Sequence, residues 1–151
     1  MGDALAGLAR WTDALVDYKK ALAIADGFAG KDPATTSWQA SRSSLLDKIG
    51  DMLNNAGDPR GAVEQYRLAL AATQRLAEKS TTSALQRDLA VGHARIGDVL
   101  DGLGDRDDAV VEYRAAHDIW AALAAANPGD AEWRHAVQEI ELKMQGFTAN
   151  R

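Results

Sequence analysis

The segment Ile49-Gly50-Asp51-Met52-Leu53 decides the fold, because it returns 47 residues later as Ile96-Gly97-Asp98-Val99-Leu100. A second segment, Ala62-Val63-Glu64-Gln65-Tyr66-Arg67-Leu68-Ala69, returns at the same distance in residues 109–116, and a related copy occupies residues 14–21. Self-similarity at a fixed spacing is the signature of a repeat architecture. The chain is therefore expected to repeat one structural unit.

Each unit is predicted to contain two helices that form a hairpin. Apolar residues of the first helix recur at three- and four-residue steps, as one helical face requires: Trp38, Leu45, Leu46, Ile49, Met52 and Leu53. This pattern stops near Gly57, where Asp58 is suited to an N-cap and Pro59 to a first helical position. A second apolar stripe follows in Ala62, Val63, Tyr66, Ala69, Leu70, Thr73 and Leu76.

The boundaries between units are expected at three polar breaks, in residues 31–33, 78–81 and 127–130. They predict units of about 1–31, 32–79 and 80–127 and a closing helix at 130–146, all within one repeat domain, 1–151. We count about seven helices, of which the first, around residues 1–5, is short. This start is expected either from a short first helix or from a chain cut out of a longer array. Because one hairpin cannot bury both apolar stripes, neighbouring hairpins are expected to stack.

Composition favours a helical, soluble and well-packed chain and is compatible with a reducing compartment. With 46% hydrophobic residues, 26% charged residues and only 3 Pro, local propensity favours helix and no sheet. The absence of Cys removes disulfides and thiolate chemistry, so the cytoplasm is the default expectation. A net charge of -5 disfavours a nucleic-acid partner. The chain has no apolar run of the kind that a secretion signal or a membrane span requires, so we expect no membrane partner.

The order of small and aromatic residues in each unit resembles the tetratricopeptide repeat, in a variant with helices longer than those of the usual repeat of about 34 residues. The positions that carry the resemblance include Leu53, Gly57 and Ala69, and Leu100, Gly104 and Ala116. The resemblance implies an all-α solenoid, a right-handed superhelix of antiparallel hairpins, similar to bacterial arrays of this kind. Its repeat-packing residues would be Gly2, Gly50, Gly97, Ala14, Ala62, Ala109, Tyr18, Tyr66 and Tyr113.

In this family the first helices line a concave groove that binds a polypeptide. Asp51 lies two residues after the inward-facing Ile49, about 200° around the helix, and is expected to face outward. The same stripe predicts a partner-binding surface of Asp3, Ser44, Asp47, Asp51, Asn54, Asn55, Val91, Ala94, Asp98 and Asp101. Its carboxylates suggest a peptide carrying Lys or Arg. Two alternatives stay open: exposed Asp that are merely solvated, or Asp that bond a neighbouring hairpin.

Catalytic chemistry finds no support in the sequence. Glu132-x-x-His135 is half of a di-iron motif without its second half, and residues 101–112 fail as a calcium loop because Arg106 replaces the required Gly. We therefore expect no enzyme, no metal site and no cofactor, and a function in binding a protein or peptide. The alternative is self-association through exposed terminal helices, whose last member carries an apolar seam of Trp133, Val137, Ile140 and Met144.

Overall fold

The computed structural model describes residues 2–31 and 36–148, with the side chains of residues 10–28 and 37–147. These residues form helices joined by short turns, and no strand occurs among them, which confirms the all-α prediction. The helices are α1 (Gly2–Lys31), α2 (Thr36–Asn55), α3 (Pro59–Lys79), α4 (Ser83–Gly102), α5 (Arg106–Ala126) and α6 (Ala131–Thr148). As far as it is described, none of them has an apolar stretch that would span a lipid bilayer.

Two glycines end the first helices of the repeat, α2 and α4, in the same way. Gly57 and Gly104 adopt φ of 87° and 81°, a left-handed conformation that costs a residue without Cβ little. In both turns the backbone amide of the residue after the glycine donates to the carbonyl of the residue four positions before the glycine. The N···O distance is 2.9 Å in both. This pairing satisfies a carbonyl that the helix end would otherwise leave open. The predicted stop near Gly57 is confirmed.

Side-chain caps start several of the helices. Asp58 accepts from the backbone amide of Gly61 at 2.9 Å, so the predicted N-cap of α3 is confirmed, with Pro59 as its first residue. Thr82 accepts from the amide of Leu85 at 3.2 Å at the start of α4. The predicted breaks at 78–81 and 127–130 thus separate helices, whereas the break at 31–33 falls largely on residues outside the described ranges.

The N-terminal region differs from the prediction of a short first helix followed by a second one. Residues 2–31 form a single helix, so the described part of the chain has six helices instead of seven. By the repeat register, Ala9 stands where Gly57 and Gly104 end α2 and α4, and Arg10 stands where Asp58 caps α3. A residue with a Cβ disfavours positive φ, and Arg offers no oxygen to cap amides. The helix therefore continues through this position.

The chain divides into two compact units, Met1–Leu76 and Ala77–Arg151. In the first unit, α1 contacts α2 through an ion pair of Arg42 Nε with Asp26 Oδ1 at 2.6 Å, and through Phe28 stacked on Trp38 at 4.6 Å between ring centroids. The α2–α3 hairpin buries its apolar stripes, with Leu46 and Ile49 from α2 and the following residues from α3: Ala62, Val63, Tyr66, Ala69, Ala72 and Leu76.

In the second unit, α4 and α5 form the equivalent hairpin and α6 packs on α5. Its buried residues from α4 and α5 include four at positions that are also buried in the first unit: Ile96, Ala109, Tyr113 and Ala116. α6 contributes Ile140, which is 3% exposed. By its Trp133, which aligns with Trp38, α6 corresponds to a first helix of the repeat.

Candidate functional site

The two Gly-Asp segments of the repeat meet a tyrosine of the second helix in each hairpin. A Cβ added at Gly50 would lie 2.5 Å from Cε1 of Tyr66, and one at Gly97 would lie 2.8 Å from Cδ1 of Tyr113. Such distances are too short for a side chain, so the glycines let the tyrosine ring pack against the backbone of the first helix. Their recurrence follows from this close approach.

The aspartate after each glycine accepts the hydroxyl of the same tyrosine. Tyr66 Oη donates to Asp51 Oδ1 at 2.6 Å, and Tyr113 Oη donates to Asp98 Oδ1 at 2.7 Å. A buried phenol needs such a partner, because a polar group without one costs about 1–3 kcal/mol. The sequence left open that these aspartates bond a neighbouring hairpin; the bonds to Tyr66 and Tyr113 instead lie within one hairpin.

In the second unit the closing helix joins this contact. Lys143 Nζ lies 2.6 Å from Asp98 Oδ1 and 5.6 Å from the centroid of the Tyr113 ring. The same ammonium lies 3.5 Å from Glu139 Oε1. Lys143 thus connects α6 to α4 and α5 by a charge-assisted hydrogen bond and a cation–π contact. An equivalent cation, Lys48, lies 5.7 Å from the centroid of the Tyr18 ring in the first unit.

The environment of Tyr113 keeps its phenol protonated. Burial raises the pKa of Tyr113 above its usual value, and the hydrogen bond to Asp98 and the charges of Asp98 and Asp101 act in the same direction. Ionisation would place a phenolate next to carboxylates in an apolar interior. The Tyr113 hydroxyl is therefore a structural donor at neutral pH.

The predicted partner-binding surface falls on both units, and its side chains have different environments. On α2, Ser44, Asn54 and Asn55 are exposed and Asp47 and Asp51 are half-buried; on α4, Val91, Asp98 and Asp101 are exposed and Ala94 is half-buried. The side chain of Asp3 lies outside the described ones, and so does the packing around Gly2, which was predicted to be a packing residue. The residues with the clearest packing contacts are the two aspartates nearest the tyrosines.

A pocket in the second unit includes one of the predicted residues. It has a volume of about 380 Å³ and lies between α4 and α6, with Trp120 of α5 lining it. Val91 and Ala136 add apolar surface. The polar lining consists of three carboxylates, one guanidinium and one imidazole, from Asp88, Glu132, Glu139, Arg87 and His135.

Sequence reasoning identified only Val91 of this lining as part of a binding surface. Trp120 is 5% exposed and also borders the pocket. A signal existed in α6, where Glu132, His135, Ala136 and Glu139 recur at helical spacing on one face. That face can be recognised as part of a pocket only once α4 is known to lie beside it.

The remaining histidines pair with carboxylates of neighbouring helices. His93 Nδ1 lies 2.7 Å from Glu112 Oε2, and His117 Nε2 lies 3.3 Å from Glu141 Oε1. Within the described ranges, no group of three or more His, Asp or Glu side chains is arranged to hold a metal ion. These pairs join α4 to α5 and α5 to α6.

Comparison of the chain with known protein families and with curated protein sequences gives no match. The repeat, the hairpin contacts and the pocket are therefore the features that bear on function.

Proposed function

We propose that this chain is a non-catalytic scaffold of the tetratricopeptide-like solenoid class, which binds a segment of another polypeptide through its first helices. The observation that carries the proposal is the pocket between α4 and α6, because both helices occupy the first-helix position of the repeat. Concave sites with apolar surface and a few polar groups are the usual places where proteins bind ligands. Val91, which belongs to the predicted stripe, is 37% exposed and lines this pocket.

The recurring residues of the repeat and its variable exposed residues have different roles under this proposal. Gly97, Asp98 and Tyr113 hold α4 and α5 together, so their recurrence concerns packing. Exposed positions of the first helices vary between units, as Ser44 and Val91 do at equivalent places. A scaffold that keeps its packing residues and varies its exposed ones can present different surfaces on one architecture.

Site-specific photocrosslinking tests this function. A benzoylphenylalanine residue at Ser44 or at Val91, both exposed on first helices, is expected to crosslink a polypeptide in a lysate of the source cell. Matched probes at Leu68 and Val111, which are 46% and 62% exposed on second helices, serve as controls. Crosslinks of equal yield at all four positions, or none at the first two, would contradict binding through the first helices.

Self-association is the second candidate function, and the exposed apolar surface of α1 favours it. Trp11, Val16, Ile24 and Phe28 are 37%, 50%, 60% and 46% exposed. In the seam predicted on α6, Ile140 is buried, whereas Trp133, Val137 and Met144 are half-buried. Exposed apolar patches often mark protein interfaces.

Mass measurement by light scattering separates this candidate from the scaffold. If copies associate through α1, the mass should rise with protein concentration, and Val16→Glu with Ile24→Glu should restore the monomer. As a control, Leu142→Glu changes a 66% exposed residue of α6. A monomer at every concentration would remove the self-association reading while leaving the crosslinking result unaffected.

A further inference from the structure

The pocket between α4 and α6 brings an indole donor and an excess of carboxylates to one place. Trp120 is 5% exposed, and its indole N–H makes no hydrogen bond within the described part of the chain. No fully buried side-chain nitrogen or oxygen among these residues lacks a partner, so the indole N–H reaches solvent. Trp120 lines the pocket, so an acceptor bound there can replace water as the partner of this donor.

The second feature is the negative charge at the rim of the pocket. Asp88, Glu132 and Glu139 contribute three carboxylates. Arg87 lies 3.5 Å from Asp88 and Lys143 lies 3.5 Å from Glu139, distances at which half-exposed pairs contribute little. No cation of the described residues pairs with Glu132. The rim therefore keeps an excess of negative charge that favours a cation.

We propose that this pocket binds a lysine or arginine residue of a partner polypeptide. The backbone carbonyl of that residue accepts from the Trp120 indole N–H, and its side-chain cation lies among Glu132, Glu139 and Asp88. The aliphatic stem of the side chain covers Val91 and Ala136, as long basic side chains do on apolar surfaces. This inference rests on the proposed scaffold function and names the chemistry of its partner.

The pocket suits such a residue in size and in its combination of groups. Its volume of about 380 Å³ lies near the lower end of the range of ligand sites, roughly 300–1,000 Å³. A free polyamine carries the cation but no acceptor for the indole. A neutral peptide carries the acceptor but no cation. A basic residue within a polypeptide supplies both the acceptor and the cation.

The experiment follows the indole N–H signal of Trp120 in the ¹⁵N-labelled full chain during titration with the blocked tripeptide acetyl-Gly-Arg-Gly-amide. The chain has 4 Trp, and Trp120→Phe assigns the signal by its loss. A saturable downfield shift is expected, with a Kd on the order of 1 mM for so small a probe. The indole signals of Trp11 and Trp38, in the other unit, should stay in place. An unmoved Trp120 signal would overturn the proposal.

Charge variants and alternative probes give the decisive contrasts. Glu132→Gln with Glu139→Gln should weaken tripeptide binding about fivefold. Asp105→Asn with Asp108→Asn removes the same charge from exposed positions of the same unit and should change the affinity less than about twofold. Equal weakening by both pairs, or equal binding of acetyl-Gly-Gln-Gly-amide or of spermidine, would sink the inference. Thermal unfolding by circular dichroism verifies that each variant is folded.

The outcomes distinguish this inference from the scaffold function on which it rests. If the tripeptide does not bind but crosslinks form at Ser44 and Val91, the scaffold proposal stands and the basic-residue pocket fails. If crosslinks are absent from both positions, the scaffold proposal fails whatever the tripeptide does.

Discussion

The helices α1 and α5 carry the same pattern of alanine and tyrosine, but they bury it to different extents. In α5, Tyr113 is 2% exposed and Ala109 and Ala116 are fully buried. Their equivalents in α1, Ala14, Tyr18 and Ala21, are all half-buried. The pattern therefore does not create a core by itself.

The difference follows from what precedes each helix. A glycine turn at Gly104 folds α4 back along α5, so that Gly97 faces the Tyr113 ring. In α1 the equivalent position is Ala9, and the helix runs on through it. In this repeat, the tyrosine of a second helix is therefore buried where its ring packs against a glycine of the first helix.

The largest expected effect comes from removing Tyr113, with the equivalent Tyr18 as the comparison. Tyr113→Ala should lower the free energy of unfolding by about 4 kcal/mol, because it empties a buried site and breaks the contacts to Asp98 and Lys143. Tyr18→Ala should cost about 1 kcal/mol, since its ring is only half-buried. Urea denaturation of the full chain measures both. Equal costs would mean that α1 is covered in solution and would favour self-association.

A substitution at the glycine that faces the ring should have the next largest effect. Gly97→Leu places a side chain where Tyr113 lies 2.8 Å from the added Cβ, and the overpacking should cost about 2–3 kcal/mol. Gly102→Ala is the matched control in the same helix, because nothing lies within 4 Å of its added Cβ. The control should be neutral or stabilising by up to about 1 kcal/mol. A tolerated Gly97→Leu would contradict the close approach.

Removal of the Tyr113 hydroxyl should have a smaller effect that depends on pH. At about pH 7, Tyr113→Phe should cost about 1 kcal/mol through the lost hydrogen bond to Asp98. Because the folded-state pKa of Tyr113 is raised above that of the unfolded chain, its contribution is complete below about pH 10 and is lost as the pH rises further.

The free energy of unfolding of the original chain should therefore fall more steeply between about pH 9.5 and 11 than that of Tyr113→Phe. Denaturation curves across this range make the comparison, with Tyr18→Phe as the control. Parallel pH profiles for the original chain and Tyr113→Phe would argue against a raised pKa.

The smallest expected effects concern the turn and the continuous helix. Gly104→Ala should destabilise the second unit by about 1 kcal/mol, because φ there is 81°. Gly27→Ala within α1 meets nothing within 4 Å and should stabilise by about 0.5–1 kcal/mol. Thermal unfolding measures both changes in stability. If glycine-to-alanine destabilises at position 104 and stabilises at position 27, the backbone conformation of the two glycines explains the difference.

The hairpins were predictable because their signals are local. Gly57, Asp58 and Pro59 end one helix and start the next through contacts that span only a few residues. The same reasoning missed the continuity of α1, although its signal was present. Ala9 occupies a position that needs glycine, and the repeat register would have revealed it.

The candidate site was less predictable because it depends on distant residues. Asp98 was expected to face outward towards a partner; it is exposed, and it also accepts from Tyr113 in the same hairpin and from Lys143, 45 residues along the chain. Likewise, Val91 was assigned to a surface, whereas the carboxylates beside it come mostly from α6. Sequence spacing within one helix shows which residues share a face, but it does not identify the neighbouring helix.

The amino-acid sequence by itself determined that this protein is helical, repeats a unit of 47 to 48 residues and turns at Gly57 and Gly104. These properties follow from backbone propensity, capping and apolar periodicity, which act over one or two helical turns. Only the tertiary structure decided that Asp98 binds Tyr113 and Lys143 and that Trp120 borders an acidic pocket. Those contacts join residues that come together only when packed helices exclude water between them.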